Sequence, residues 1–141
     1  PTIINKGEEQ QNQVKTSYKD KKILIVDDNE LNLKVAQRLL QSYEMQIDTV
    51  LSGDEALTNI RANEHYDLIL LDDMMPHKSG SETLIELRQI ENFNIPVVVL
   101  TANAIEGMKE KYLEMGFDDY LAKPIAKDEL KRVLLKYLNW S

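Results

Sequence analysis

The sequence contains no cysteine. That excludes a disulfide framework and any thiolate metal site, and it fits a reducing compartment. No run approaches the roughly 18 consecutive apolar residues of a membrane span. The N-terminus lacks the apolar centre of a signal peptide, so the sequence predicts a cytoplasmic fragment that makes no membrane contact itself. Basic residues are outnumbered: 17 Lys and Arg stand against 24 Asp and Glu, a formal net charge of −7. Such a surface repels the phosphate backbone of nucleic acid. No glycine-rich turn follows the first apolar run, which argues against a dinucleotide-binding module. What is present is 141 residues, 43% of them hydrophobic, enough for one domain with a sizeable core plus a tail. The chain opens on Pro1 and not on methionine, which reads as a piece of a longer protein.

Residues 1–20, PTIINKGEEQQNQVKTSYKD, are polar and show no sustained apolar period, so they read as a linker or tail ahead of a folded domain over 21–141. From Lys21 short apolar runs alternate with segments of helical period. The runs are ILIV (23–26), IDTV (47–50), DLILL (67–71), PVVVL (96–100) and DYLA (119–122). Asn29 is placed to cap a first helix whose apolar stripe is Leu31, Val35 and Leu39 with Ala36, Leu40 and Tyr43. Ser52 with Glu55 reads as a capping box ahead of Ala56, Leu57 and Ile60. Ser81 is the expected cap of a third helix bearing Leu84, Ile85, Leu87 and Ile90. Ile105, Met108, Tyr112 and Met115 mark a fourth, which Gly116 ends in a left-handed conformation. A fifth starts near Asp128 and carries Leu130, Val133, Leu134, Tyr137 and Leu138. Continuous Val, Ile and Leu strands separated by helices predict an α/β fold, a parallel sheet covered on both faces.

The polar residues that follow these strands carry the chemistry. ILIV leads into Asp27 and Asp28, DLILL into Asp72 and Asp73, PVVVL into Thr101, and DYLA into Lys123. The carboxyl ends of the strands in an open parallel sheet line one crevice, the usual ligand site of such folds. Carboxylates gathered there repel, and without compensation one takes up a proton. A hard divalent cation resolves the repulsion. Oxygen-only ligands, with neither histidine nor cysteine among them, favour Mg²⁺ or Mn²⁺. An aspartate beside such an ion is a nucleophile toward phosphorus and gives an aspartyl phosphate. The cation and Lys123 offset the charge on the phosphoryl oxygens, while Thr101 hydrogen-bonds one of them. The site reads as a phosphoryl acceptor. Singly, each residue is ordinary: an Asp-Asp pair caps helices, and Lys123 alone would be a surface lysine. Their joint placement at four strand ends argues for function.

At these same residues the chain resembles the receiver domains of two-component response regulators. The likeness covers residues 21 to about 139 and rests on VDDNE (26–30), DLILLDDMMPHKSG (67–80), VVVLTANA (97–104) and DDYLAKPI (118–125). It implies a flavodoxin-like fold of receiver type, a doubly wound five-stranded parallel sheet with five helices. It implies that Asp72, followed four residues later by Pro76 and eight later by Gly80, is the phosphoacceptor. By the same likeness Asp28 and Asp72 bind Mg²⁺ through their side chains, Met74 through its backbone carbonyl and Asp27 through water. Thr101 is then the switch hydroxyl and Tyr120 the switch aromatic, and the Lys123–Pro124 bond is cis. The implied phosphoryl donor is a phosphohistidine on a histidine kinase domain or a histidine phosphotransfer protein. That partner would dock near the first helix, with apolar contacts from Leu31 and Leu33, and the fourth helix, fifth strand and fifth helix would report the change. DDNELN and TANA, together with the polar tail, are more similar to receivers of hybrid histidine kinases than to those of stand-alone regulators. A receiver promotes only its own phosphorylation and dephosphorylation; the intact hybrid protein would be a kinase.

Some positions depart from the family pattern. Asp73 puts a second charge where an uncharged residue is usual, and strand alternation turns it away from the site. Ser79 stands where many relatives carry an acid, and Met74 and Asn103 would flank the phosphoryl group. His65 and His77 read as solvated loop residues, and Lys127, Lys131 and Lys136 as a solvated helix face. A metal-dependent phosphohydrolase of the haloacid dehalogenase type needs a carboxylate two residues beyond its nucleophile. Met74 follows Asp72 at that spacing and Asn29 follows Asp27, so that pattern fails. A pseudo-receiver that only mediates contacts would lack an acceptor or a metal ligand, and none is missing.

Overall fold

A computed structural model describes residues 18–102, 105 and 107–138. Its strands are β1 (Lys22–Val26), β2 (Gln46–Val50), β3 (Leu68–Asp72), β4 (Val97–Thr101) and β5 (Asp119–Ala122). They alternate with α1 (Glu30–Leu40), α2 (Gly53–Arg61), α3 (Gly80–Arg88), α4 (Met108–Met115) and α5 (Lys127–Leu138). All strands pair in parallel, in the order β2-β1-β3-β4-β5. The α/β fold expected from the apolar runs is the one found.

Period-two alternation divides the core into two layers. Ile23, Ile25, Leu68, Leu70, Val98, Leu100 and Leu121 face one way, against α1 and α5. Leu24, Val26, Ile69, Leu71, Val97 and Val99 face the other way, against residues of α2, α3 and α4. The inner strands β1, β3 and β4 are apolar on both sides because both sides are covered. The edge strand β2 is only half-buried.

Asn29 caps α1 as expected, its side chain accepting from the N–H groups of Leu31 and Asn32. The stripe on this helix differs from the expected one. Leu33, Ala36 and Leu40 are buried, whereas Leu31 is 67% and Val35 46% exposed. Leu33 therefore belongs to the core and is withdrawn from any docking face; Leu31 remains on the surface. Ser52 accepts from the Glu55 N–H, but the Glu55 carboxylate accepts from Leu51 N and not from the cap itself. The cap of α3 is Ser79 and not Ser81: Ser79 and Glu82 form a complete reciprocal capping box. Gly116 ends α4 with φ +113°, the left-handed cap read from the sequence. Of the residues read as marking the fourth helix, Ile105 precedes α4 and is 65% exposed, Met115 is 48% exposed, and Tyr112 is the buried residue of that helix. The Lys123–Pro124 bond is cis.

Two contacts tie down the ends. Tyr18, which lies in the segment read as a tail, is buried against Tyr43, and its N–H donates to the Tyr43 carbonyl at 2.8 Å. On β5, buried Asp119 receives both arms of the Arg132 guanidinium from α5, at 2.9 and 3.2 Å. Lys136, read as part of a solvated face, lies 3.6 Å from the same carboxylate. Burial by itself raises the Asp119 carboxyl. The Arg132 and Tyr120 N–H hydrogen bonds and the Arg132 charge outweigh it and hold the group below its ordinary 3.8. A carboxyl lowered in this way stabilises the fold above its unfolded value, and the contribution disappears as pH falls through the lowered one. Asp119→Asn is expected to cost about 1–2 kcal/mol near neutrality, less than a fully buried pair because Arg132 is partly solvated. The gap to wild type should close in acid, as thermal melts over a pH series would read.

Candidate functional site

The C-terminal ends of β1, β3, β4 and β5 meet at one pole of the sheet. Asp27 follows β1 and Asp72 ends β3, and both are about 1% exposed; Asp28 is on the surface. One carboxylate oxygen from each of these three lies within 4.8 Å of the others. Lys123, just beyond β5, places Nζ 2.7 Å from Asp72 Oδ1 and 3.4 Å from Asp27 Oδ2. Asp27 is further held by the start of α1, accepting from Asn29 N at 3.0 Å and Asn32 Nδ2 at 3.2 Å.

The electrostatics follow from this crowding. Burial pushes the Asp72 carboxyl above its usual range, the Lys123 hydrogen bond opposes it, and the charges of Asp27 and Asp28 add to the rise. Lys123 is raised in turn: burial would lower it, but its bond to Asp72 and the Asp72 and Asp27 charges prevail. One ammonium against three carboxylates leaves negative charge uncompensated. The donors are all hard oxygens, and exposed Asp28 keeps one side open to water. Such a set fits an oxygen-seeking divalent cation that retains water ligands. Among the described residues, this acidic triad is the group arranged to hold a metal ion.

Thr101, the last residue of β4, is buried, with Oγ1 3.1 Å from the Tyr112 hydroxyl. Tyr120 in β5 is half-buried, and Lys109 Nζ sits 5.3 Å over its ring. The Met74 side chain is 74% exposed. Asn103 lies outside the described residues. His65 and His77 are exposed and stand apart from the triad, with His65 Nε2 3.2 Å from Asp67.

Asp73 does turn away. Its carboxylate accepts from Ser81 N at 3.1 Å, Ser81 Oγ at 2.9 Å and the Tyr112 hydroxyl at 3.0 Å. Sequence reasoning missed both partners: Ser81 looked like a cap and Tyr112 like core. The available signal was Asp73 itself, a charge at a strand end that needs donors wherever it points. Gly80, at the start of α3, donates its N–H to the Asp73 carbonyl at 3.0 Å and so brings the helix against the end of β3.

Comparison with known proteins agrees with this geometry. The family model of the response regulator receiver domain matches residues 23–135. Sensor histidine kinase GacS of Pseudomonas protegens is 38% identical over 120 residues, covering 82% of this chain and 13% of its own length. Curated relatives of this kind are much longer; the chain spans 7% to 16% of them. A solved receiver domain of the sensor histidine kinase PA1611 from Pseudomonas aeruginosa PAO1 is 36% identical, with a TM-score of 0.76 over 85% of this chain and 98% of its own, and is described with a magnesium ion in its active site cleft. The receiver domain of Saccharomyces cerevisiae Ssk1, solved with the histidine phosphotransfer protein Ypd1, is 26% identical, with a TM-score of 0.73 over 83% of this chain and 88% of its own. The chain belongs to the response regulator receiver domain family of two-component and phosphorelay signalling.

Proposed function

We propose that Asp72 accepts a phosphoryl group from a phosphohistidine. An Asp72 carboxylate oxygen attacks phosphorus, the P–N bond to imidazole breaks with its electron pair leaving on nitrogen, and an acyl phosphate remains on Asp72. Mg²⁺, when bound, neutralises charge on the phosphoryl oxygens. Asp28 and Asp72 would hold it by side chain, the Met74 carbonyl by its oxygen and Asp27 through water. Lys123 moves from bridging Asp72 and Asp27 to countering the phosphoryl charge, and Thr101 supplies a hydrogen bond. Tyr120 would then change its packing and bias a pre-existing equilibrium that α4, β5 and α5 report.

The observation that carries this reading is the triad of carboxylate oxygens within 4.8 Å, with Lys123 2.7 Å from Asp72. A histidine kinase domain or phosphotransfer protein is the expected donor. Leu31 and Val35, exposed on α1 beside the site, suit an apolar contact with it. The intact protein is read as a hybrid histidine kinase in preference to a stand-alone regulator, from the kinds of relatives the chain matches.

Intact-protein mass after incubation with acetyl phosphate, with and without Mg²⁺, tests the proposal. A Mg²⁺-dependent gain of one phosphoryl group, removed by hydroxylamine, is expected. No gain from acetyl phosphate or from a phosphohistidine protein would leave a receiver that acts by contact alone.

A further inference from the structure

Asp73, Tyr112 and Thr101 form a hydrogen-bonded chain whose direction is determined. Asp73 Oδ2 accepts the Tyr112 hydroxyl at 3.0 Å, and Tyr112 is 3.1 Å from Thr101 Oγ1. A carboxylate only accepts, and a phenol has one proton to give. With that proton on Asp73, the Thr101–Tyr112 bond must carry the proton of Thr101. Burial raises the Tyr112 hydroxyl above its usual range; the Thr101 bond opposes this and the Asp73 bond adds to it, so the phenol keeps its proton.

We propose that Asp73 and Tyr112 are positioning residues that commit the Thr101 hydroxyl proton to Tyr112, so that Thr101 must break this bond before it can serve a phosphoryl group on Asp72. The proposal rests on Asp72 being the acceptor. Phosphoryl oxygens only accept hydrogen bonds, so Thr101 needs its single proton for them. Withdrawing it from Tyr112 opposes the switched state, and the strength of that bond sets the balance between the resting and switched forms.

The two partners can be altered in chemically distinct ways. Tyr112→Phe keeps the ring and deletes the bond. Asp73→Asn keeps the shape and reverses the chain. The Ser81 backbone N–H donates to Oδ1 at 3.1 Å and cannot become an acceptor, so the asparagine carbonyl must take that place and its NH₂ faces Tyr112. Tyr112 then donates to Thr101, and the Thr101 proton is released while the packing is retained.

Beryllium fluoride with Mg²⁺ mimics an acyl phosphate on aspartate without turning over. Its affinity for the full chain would be measured by calorimetry in wild type, Tyr112→Phe, Asp73→Asn, Thr101→Ala and both double variants with Thr101→Ala. Both single variants at 112 and 73 are expected to bind about three- to tenfold more tightly than wild type, the size of one net hydrogen bond. With Thr101 replaced, the gain should vanish. A gain that persists without Thr101 would mean the effect passes through packing and would overturn the proposal, as would wild-type affinity in both single variants. Failure of the wild type to bind the probe at all would instead remove Asp72 as acceptor.

Discussion

Asp72→Asn is expected to take up no phosphoryl group from acetyl phosphate or from a phosphohistidine donor, while its fold and secondary structure stay as in wild type. The amide has the shape of the carboxylate but not its nucleophilic oxygen. A second effect runs the other way. Burial and the Asp27 and Asp28 charges raise the Asp72 carboxyl in spite of Lys123, so its ionised form is disfavoured by folding. Removing the charge should therefore raise the melting temperature of the metal-free protein. In wild type, stability linked to Asp72 should increase as pH falls through its raised range, opposite in sign to Asp119. Mg²⁺ should stabilise wild type more than the variant, because the variant lacks one ligand charge. Labelling of the variant equal to wild type would refute the assignment of the acceptor.

Gly80→Ala is expected to destabilise the domain by about 3 kcal/mol, at the upper end for overpacking, and to slow phosphorylation about tenfold or more in protein that remains folded. A Cβ on Gly80 would lie 2.8 Å from Asp73 Cα and 3.0 Å from the carbonyl carbon of Asp72. Both atoms are backbone and neither can rotate away. Either α3 lifts from the sheet, or the end of β3 shifts and carries the Asp72 carboxylate with it. Gly107 is the natural control, since among the described residues a Cβ there meets nothing within 4 Å and only its positive φ of +97° is strained. Denaturant unfolding and the acetyl phosphate rate would be read together. A Gly80→Ala protein with wild-type stability and rate would show that β3 and α3 have slack at this contact.

The sequence reveals most of the candidate site because Asp27, Asp28, Asp72, Thr101 and Lys123 lie at or just beyond the ends of apolar runs, and a parallel sheet brings those ends together. Where it misleads, the deciding contacts are non-local. Helix α1 carries apolar residues at 31, 33, 35, 36, 39 and 40, which support two different stripes. Packing against β1 and β3 selects Leu33, Ala36 and Leu40, a choice no local pattern can make. Ser79 and Ser81 both look like caps. The capping box of Ser79 with Glu82 was present in the sequence, but it loses prominence beside the longer apolar register that follows Ser81. The partners of Asp73 come from the start of α3 and from a tyrosine 39 residues away, a separation beyond any periodicity argument. Tyr18 was lost for a related reason, since one aromatic in a polar stretch has no period to reveal it.

The contact between Tyr18 and Tyr43 fixes where residue 18 meets the sheet. Tyr43 lies between the end of α1 and the start of β2, at the pole of the sheet where the strands begin, and the acidic pocket lies where they end. Residue 18 thus meets the domain at one pole and the Asp72 carboxylate lies at the other, separated by about the 16 Å length of a five-residue strand. Whatever bears on Tyr18 therefore meets the sheet at the end remote from the acidic triad.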